Sequence, residues 1–140
     1  MKTRLGYLVS TALFSVMMLA SALAYLTGSE QMVQAFRHLG YPDYFRLMLG
    51  MAKIAGVLAL VIPQVPRLLR EWAYAGFVIT MVSAFMSHAA SGDPLGRMAM
   101  PLVALGLVAT SRALWRPVPR AARAESGAGT WDLLPASGRS

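Results

Sequence analysis

The sequence predicts an all-α membrane protein: a four-transmembrane-helix bundle with a short external interfacial helix. Three observations predict it. Of 140 residues, 56% are apolar and only 14% are charged, whereas a soluble domain carries about 25% charged residues. A water-soluble globule of this size buries only part of its surface and needs more polar cover than that. The apolar residues gather in four runs of membrane-spanning or near-spanning length. Most lysines and arginines fall between and after those runs, where they mark membrane orientation.

The first run, Leu5 to Thr27, has 23 residues without a formal charge, long enough to span the hydrocarbon core. Ala22-Leu23-Ala24 resembles a signal-peptidase site, so a cleaved leader is the competing reading. The run continues through Tyr25 and Leu26 past that cut, which favours an uncleaved helix. The stretch from Gly28 to Asp43 holds a short amphipathic helix. Ser29 is its candidate cap, Met32, Val33, Phe36 and Leu39 share a face, and Gly40 and Pro42 stop it. Such a helix lies in the interface, either as a lid over the bundle mouth or as a surface connector.

The second span runs from about Tyr44 to Ile62 and ends at Pro63. The third, Trp72 to Ala90, is uncharged and stops at Gly92-Asp93-Pro94. The fourth is weakest: Met98 to Ser111 gives 14 uncharged residues, and it reaches Trp115 if Arg112 snorkels to the interface. Pro101 would then sit in its first turn, where a missing N–H costs little. Residues 116–140 are rich in Pro, Ala, Gly, Ser and Arg without periodicity and read as a disordered cytoplasmic tail.

Thirteen basic against six acidic residues leave a net charge of +7. Lys2, Arg4, Arg67, Arg70, Arg112, Arg116, Arg120, Arg123 and Arg139 fall on one side, and Arg37, Arg46 and Arg97 on the other. That bias puts both termini in the cytoplasm and makes the lipid bilayer, not nucleic acid, the partner of this charge. There is no cysteine, which excludes disulfides, thiolate metal sites and thiol redox chemistry. With two histidines, no metal site is expected. Any electrons must reside on something the protein binds.

Polar residues inside spans are expensive and therefore informative. Lys53 lies near the middle of the second span, on one helical face with Arg46, Gly50 and Gly56. Either it donates to a bound polar group in the bundle interior, or it pairs with hydroxyls and carbonyls and fixes packing. In a short-looped hairpin Lys53 is level with Thr80, and Arg46 with Ser87 and His88. Glu71 is then about 13 Å from the lysine along the axis, so pairing needs a slide, and Arg67 or Arg70 is the alternative partner. Gly76, Thr80, Ala84 and His88 recur every four residues, the expected contact face of a packed membrane helix. His88 ends that stripe, where Arg46 could join it in a polar mouth able to donate to a quinone-like carbonyl. Trp72, Tyr74, Trp115, Tyr25, Tyr41 and Tyr44 read mainly as interfacial belts.

Four blocks carry a resemblance: FRHLGYP (36–42), LGMAKIAGVLALVIP (49–63), REWAYAGF (70–77) and SHAASGD (87–93). In this order and spacing they resemble the DoxX-like family over residues 5–115. The resemblance implies a bacterial inner-membrane protein of four helices with its first span retained. It also implies importance for Lys53, Glu71, Trp72 and His88 without defining their roles. Relatives of the family are linked to a thiosulfate:quinone oxidoreductase and to quinone or catechol responses.

Two functional readings follow. In the first, the chain is a quinone-interacting accessory subunit of a membrane oxidoreductase. Arg46, Lys53 and His88 are then ligand-binding candidates, and quinone is the one expected cofactor, not covalently held. In the alternative, it is a membrane scaffold or assembly partner without catalytic activity. Gly50, Gly56, Glu71, Trp72, Gly76 and Thr80 then serve structure, a membrane-protein partner or a homo-oligomer. A pore ranks last, because four helices leave little room for an aqueous path.

Overall fold

The computed structural model describes residues 2–115, so the tail expected over 116–140 lies outside the described residues. Five helices occur: α1 (Lys2–Thr27), α2 (Glu30–His38), α3 (Asp43–Val61), α4 (Arg67–Ala90) and α5 (Leu95–Leu114). All but α2 are long and apolar enough to cross a membrane. The spans form a ring in which α1 adjoins α3, α3 adjoins α4, α4 adjoins α5 and α5 returns to α1, with α2 resting on α3 and α1. Large apolar side chains such as Leu13, Met86 and Leu95 point outward, as a bundle facing lipid requires.

Two helices begin earlier than the apolar runs suggest. Pro66 starts α4 and Pro94 starts α5, since a fixed φ suits a helix entry and the missing N–H is no loss there. The charged first turn of α4 and the Leu95–Arg97 turn of α5 therefore extend the spans expected over 72–90 and 98–115. Pro101, expected in a first turn, lies inside α5 instead, where it leaves the Arg97 carbonyl without an intrahelical donor. Ser29 makes no side-chain cap; its backbone carbonyl accepts from the Met32 and Val33 N–H groups at 2.8 and 3.0 Å.

The core occupies the half of the bundle nearest the helix ends Lys2 and Leu114, and the bundle's middle. Phe14 of α1 meets Phe77 of α4 edge-on across the ring's diagonal, centroids 4.9 Å apart, among Met18, Val57, Leu60, Met81, Ala104 and Val108. Below it the buried Ser111 hydroxyl lies 2.7 Å from Thr11 Oγ1 and 2.8 Å from the Tyr74 hydroxyl. Three helices are thus joined through one satisfied polar knot. At this end Arg112 donates through Nε and Nη2 to the two carboxylate oxygens of Glu71, at 2.8 and 2.9 Å. Arg67 stands farther off at 3.8 Å. Glu71 thus pairs with neither Lys53 nor Arg70, because the end of α5 runs beside the start of α4. Arg70 instead donates to the Ile62 carbonyl at the close of α3. Trp115 lies within cation–π range of Arg67, Arg70 and Arg112, in keeping with a belt position.

The glycines of α3 let neighbours approach closely. A Cβ on Gly50 would lie 3.1 Å from a Leu26 methyl and 3.4 Å from the Ala22 carbonyl. One on Gly56 would lie 2.7 Å from the Phe77 ring, which Phe14 pins from the other side. A Cβ on Gly76 would meet nothing within 4 Å. The fourfold stripe on α4 is therefore not a helix contact at that position. Gly56→Ala is expected to destabilise the bundle by about 1–3 kcal/mol through forced displacement of Phe77, while Gly76→Ala, which meets nothing, causes no loss and raises stability by up to about 1 kcal/mol. Thermal unfolding of the two variants in the same detergent checks this contrast.

Candidate ligand cavity

Above the core, the bundle is hollow. A cavity of about 480 Å³ lies between the four spans, with Met18, Met81 and Ala104 as its floor and α2 as its roof. Met32, Phe36 and Leu39, the apolar face expected from the sequence, turn toward it. Among its polar lining residues are Ser21, Lys53, Ser87 and His88.

Lys53 enters from the middle of α3 and is almost completely buried. Its ammonium donates to Ser21 Oγ at 2.7 Å and stands 4.0 Å from the Tyr25 ring centroid. No carboxylate pairs with it among the described residues. An ammonium has three donors; one is taken by Ser21 and one side is covered by an aromatic face. What remains faces a cavity that Lys53 itself lines. Tyr25 therefore has a packing role beyond that of a belt residue.

His88 is fixed by the end of its own helix. Gly92 adopts a left-handed φ of +69°, and the Asp93 and Gly92 N–H groups return to the His88 and Ala89 carbonyls at 3.0 and 3.2 Å. This Schellman ending folds Asp93 back beside the imidazole. His88 Nδ1 and Asp93 Oδ2 are 2.7 Å apart. Arg97 donates to Oδ1 at 2.7 Å, and His38 Nε2 lies 3.1 Å from the same oxygen. One buried carboxylate thus ties α2, α4 and α5 together. The same motif ends α2 at Gly40 and turns Tyr41 toward α4, where its hydroxyl lies 2.7 Å from Ser87 Oγ.

The remaining candidates fall apart spatially. Arg46 does not line the cavity with Lys53 and His88. Its guanidinium lies at Gly28, where a Cβ would be 3.4 Å from Nη2, and its buried Nε and Nη1 have no hydrogen-bond partner among the described residues. Arg97 and His38 join His88 instead. Glu71 belongs to the ion pair at the opposite end. Trp72, Gly76 and Thr80 line the α3–α4 side, with Thr80 also reaching the cavity. Among the described residues no cluster of His, Asp and Glu could hold a metal ion.

Residues 9–111 match the model of the DoxX-like family. The chain belongs to the DoxX-like family. No curated protein and no solved structure gives a match. The matched range takes in α2 and the cavity as well as most of the four spans, so this DoxX-like chain is a multi-pass membrane protein. Within it, sequence reasoning passed over Ser21, Tyr41, Ser87 and, most of all, Asp93. The signal for Asp93 was the run SHAASGD, in which a helix-ending glycine precedes an acid five residues after a histidine.

Hydrogen bonding from His88, with Arg97 and His38 beside it, lowers the Asp93 carboxyl from 3.8 to about 2. A carboxyl depressed in the folded state stabilises it above the unfolded value, and that stabilisation is lost as pH falls through the folded one. Wild type should therefore lose thermal stability between about pH 4 and about pH 2. Asp93→Asn should have a lower melting temperature at neutral pH and a smaller fall across that window.

Proposed function

We propose that this chain binds a quinone-type ligand in the cavity beneath α2 and acts as an accessory subunit of a membrane oxidoreductase. The observation that carries the reading is a pair of polar groups placed at two levels of one apolar cavity. Lys53 offers an unused donor deep inside, and His88 stands near the roof. His88 is eight residues beyond Thr80, which faces Lys53 across α3 and α4, so the two levels differ by about 12 Å. Two oxygens across a quinone or quinol ring, about 5 Å apart, with a hydrogen bond of about 2.8 Å at each end, bridge about 11 Å, and a quinol hydroxyl can donate to His88.

The two contacts have different chemistry. Lys53 can only donate, which suits a carbonyl or an anionic oxygen. With Nδ1 committed to Asp93, His88 has Nε2 left for the cavity: an acceptor in the neutral ring and a donor when protonated. Asp93, 2.7 Å from Nδ1, orients the ring. A quinol hydroxyl could thus pass a proton to His88. Lacking thiols and a metal cluster among its described residues, the chain would serve another subunit's electron transfer.

Membership of the DoxX-like family suggests a bacterial inner-membrane placement, and the bias of lysine and arginine supports both termini in the cytoplasm with the α2 roof outside. Quinone titration of the protein in lipid nanodiscs tests the reading. Saturable binding is expected in wild type, about tenfold or more weaker in Lys53→Met and in His88→Ala, since each removes one hydrogen bond to a desolvated polar group. Equal melting temperatures guard against misfolding. Absence of binding by folded wild type moves the assignment to a scaffold or assembly partner without catalytic activity.

A further inference from the structure

A second hollow, of about 440 Å³, runs along the outside of the bundle between α3 and α4. Leu49, Lys53 and Thr80 line both hollows. The buried lysine therefore stands at the junction between an interior chamber and a groove open to lipid. From Thr80 the groove runs along α4 past Gly76 to Leu69, about 16 Å along the axis. Its walls include Ala52, Ala55, Gly56, Ala59, Ala73 and Gly76. Below the junction it offers no charged side chain, and Trp72 is its one side chain with a polar atom apart from the shared Lys53 and Thr80.

We infer that the ligand is a lipid-soluble molecule with a long hydrocarbon tail, whose head occupies the cavity and whose tail leaves between α3 and α4 along this groove. The inference rests on the quinone-type reading of the cavity and adds the ligand's class and its route. Three observations on the two hollows select a tail as occupant. Their shared lining sets the groove directly beside the place where a polar head would be held. The lack of side chain at Gly76 leaves the passage open one turn below Thr80. The groove's outer side faces the bilayer, from which such a molecule would enter without crossing water. The small residues along α3 and α4 then serve passage at Gly76 and close packing at Gly56, which faces Phe77.

Transfer of a tail from bilayer to groove is apolar to apolar and gains little by itself. The test therefore obstructs the exit. Wild type, Gly76→Leu, Ala52→Leu and Ala75→Leu are compared in nanodiscs of one lipid composition, using a tailless benzoquinone and its decyl-tailed analogue. Gly76 and Ala52 are exposed groove positions, and Ala75 is exposed outside the groove; equal melting temperatures establish folding, and either groove variant suffices. The expected result is about tenfold weaker binding of the tailed ligand by the groove variants, unchanged binding of the tailless one, and no effect of Ala75→Leu. Tailed-ligand binding that is unmoved in a folded groove variant, with the tailless ligand still bound, overturns the groove assignment alone. Failure of wild type to bind either ligand overturns the quinone-type reading and the groove with it.

Discussion

An ammonium at the middle of an apolar helix is the constraint around which the upper half of this bundle is arranged. At that depth a lysine disfavours insertion by about 3 kcal/mol, and no carboxylate among the described residues offsets it. The chain answers with a hydroxyl from α1, an aromatic face from the next turn of α1, and room beyond. Ser21 and Tyr25 are four residues apart, so they lie one above the other on the same side of their helix. Gly50 keeps α1 close enough to α3 for both to reach Lys53. Filling the remaining space with methyl groups would bury the last donor unpaired, which an apolar interior punishes. The hollow is thus part of how the lysine is tolerated.

The roof follows from local backbone rules. Two helices end in the same left-handed glycine turn, and each turn returns the next side chain to the bundle: Tyr41 after Gly40, Asp93 after Gly92. Because Asp93 accepts from His88 of its own helix and from Arg97 of α5, its carboxylate is already oriented when His38 of α2 meets it. The short helix is then held at one end by that contact and at the other by the Ser29 turn leading out of α1. Its apolar face, Phe36 above all, packs on Tyr25, Tyr41 and Phe45. The roof of the cavity is therefore held by aromatic packing and a carboxylate clamp together.

Much of this was legible in the sequence, for reasons that differ by element. Span existence and the facing of α2 follow from hydrophobic runs and periodicity, which survive any detail of packing. Lys53 stood out because an intramembrane charge is rare. The pairings were harder. Glu71 finds Arg112, 41 residues away, and no count along a single hairpin can reveal a partner supplied by a third helix. Counting in register placed Lys53 beside Thr80, yet the same counting brought Arg46 to His88. There it fails because the guanidinium turns toward Gly28 at the end of α1. Asp93 was hidden by its place in a loop, where an acid next to glycine and proline reads as turn chemistry. Pro101 misled because helix entry was set by Pro94, four residues before the apolar run begins.

The molecule separates its tasks along its length. The Phe14–Phe77 pair and the Thr11–Ser111–Tyr74 hydroxyl knot lie below the hollow and share no residue with its lining. A substitution at Ile79, Ser83 or Met100 alters the chamber's shape while leaving those contacts in place. The chamber's shape can thus change without the fold changing with it, because, beyond the shared floor of Met18, Met81 and Ala104, each spanning helix carries its core-packing positions and its chamber-lining positions on different stretches.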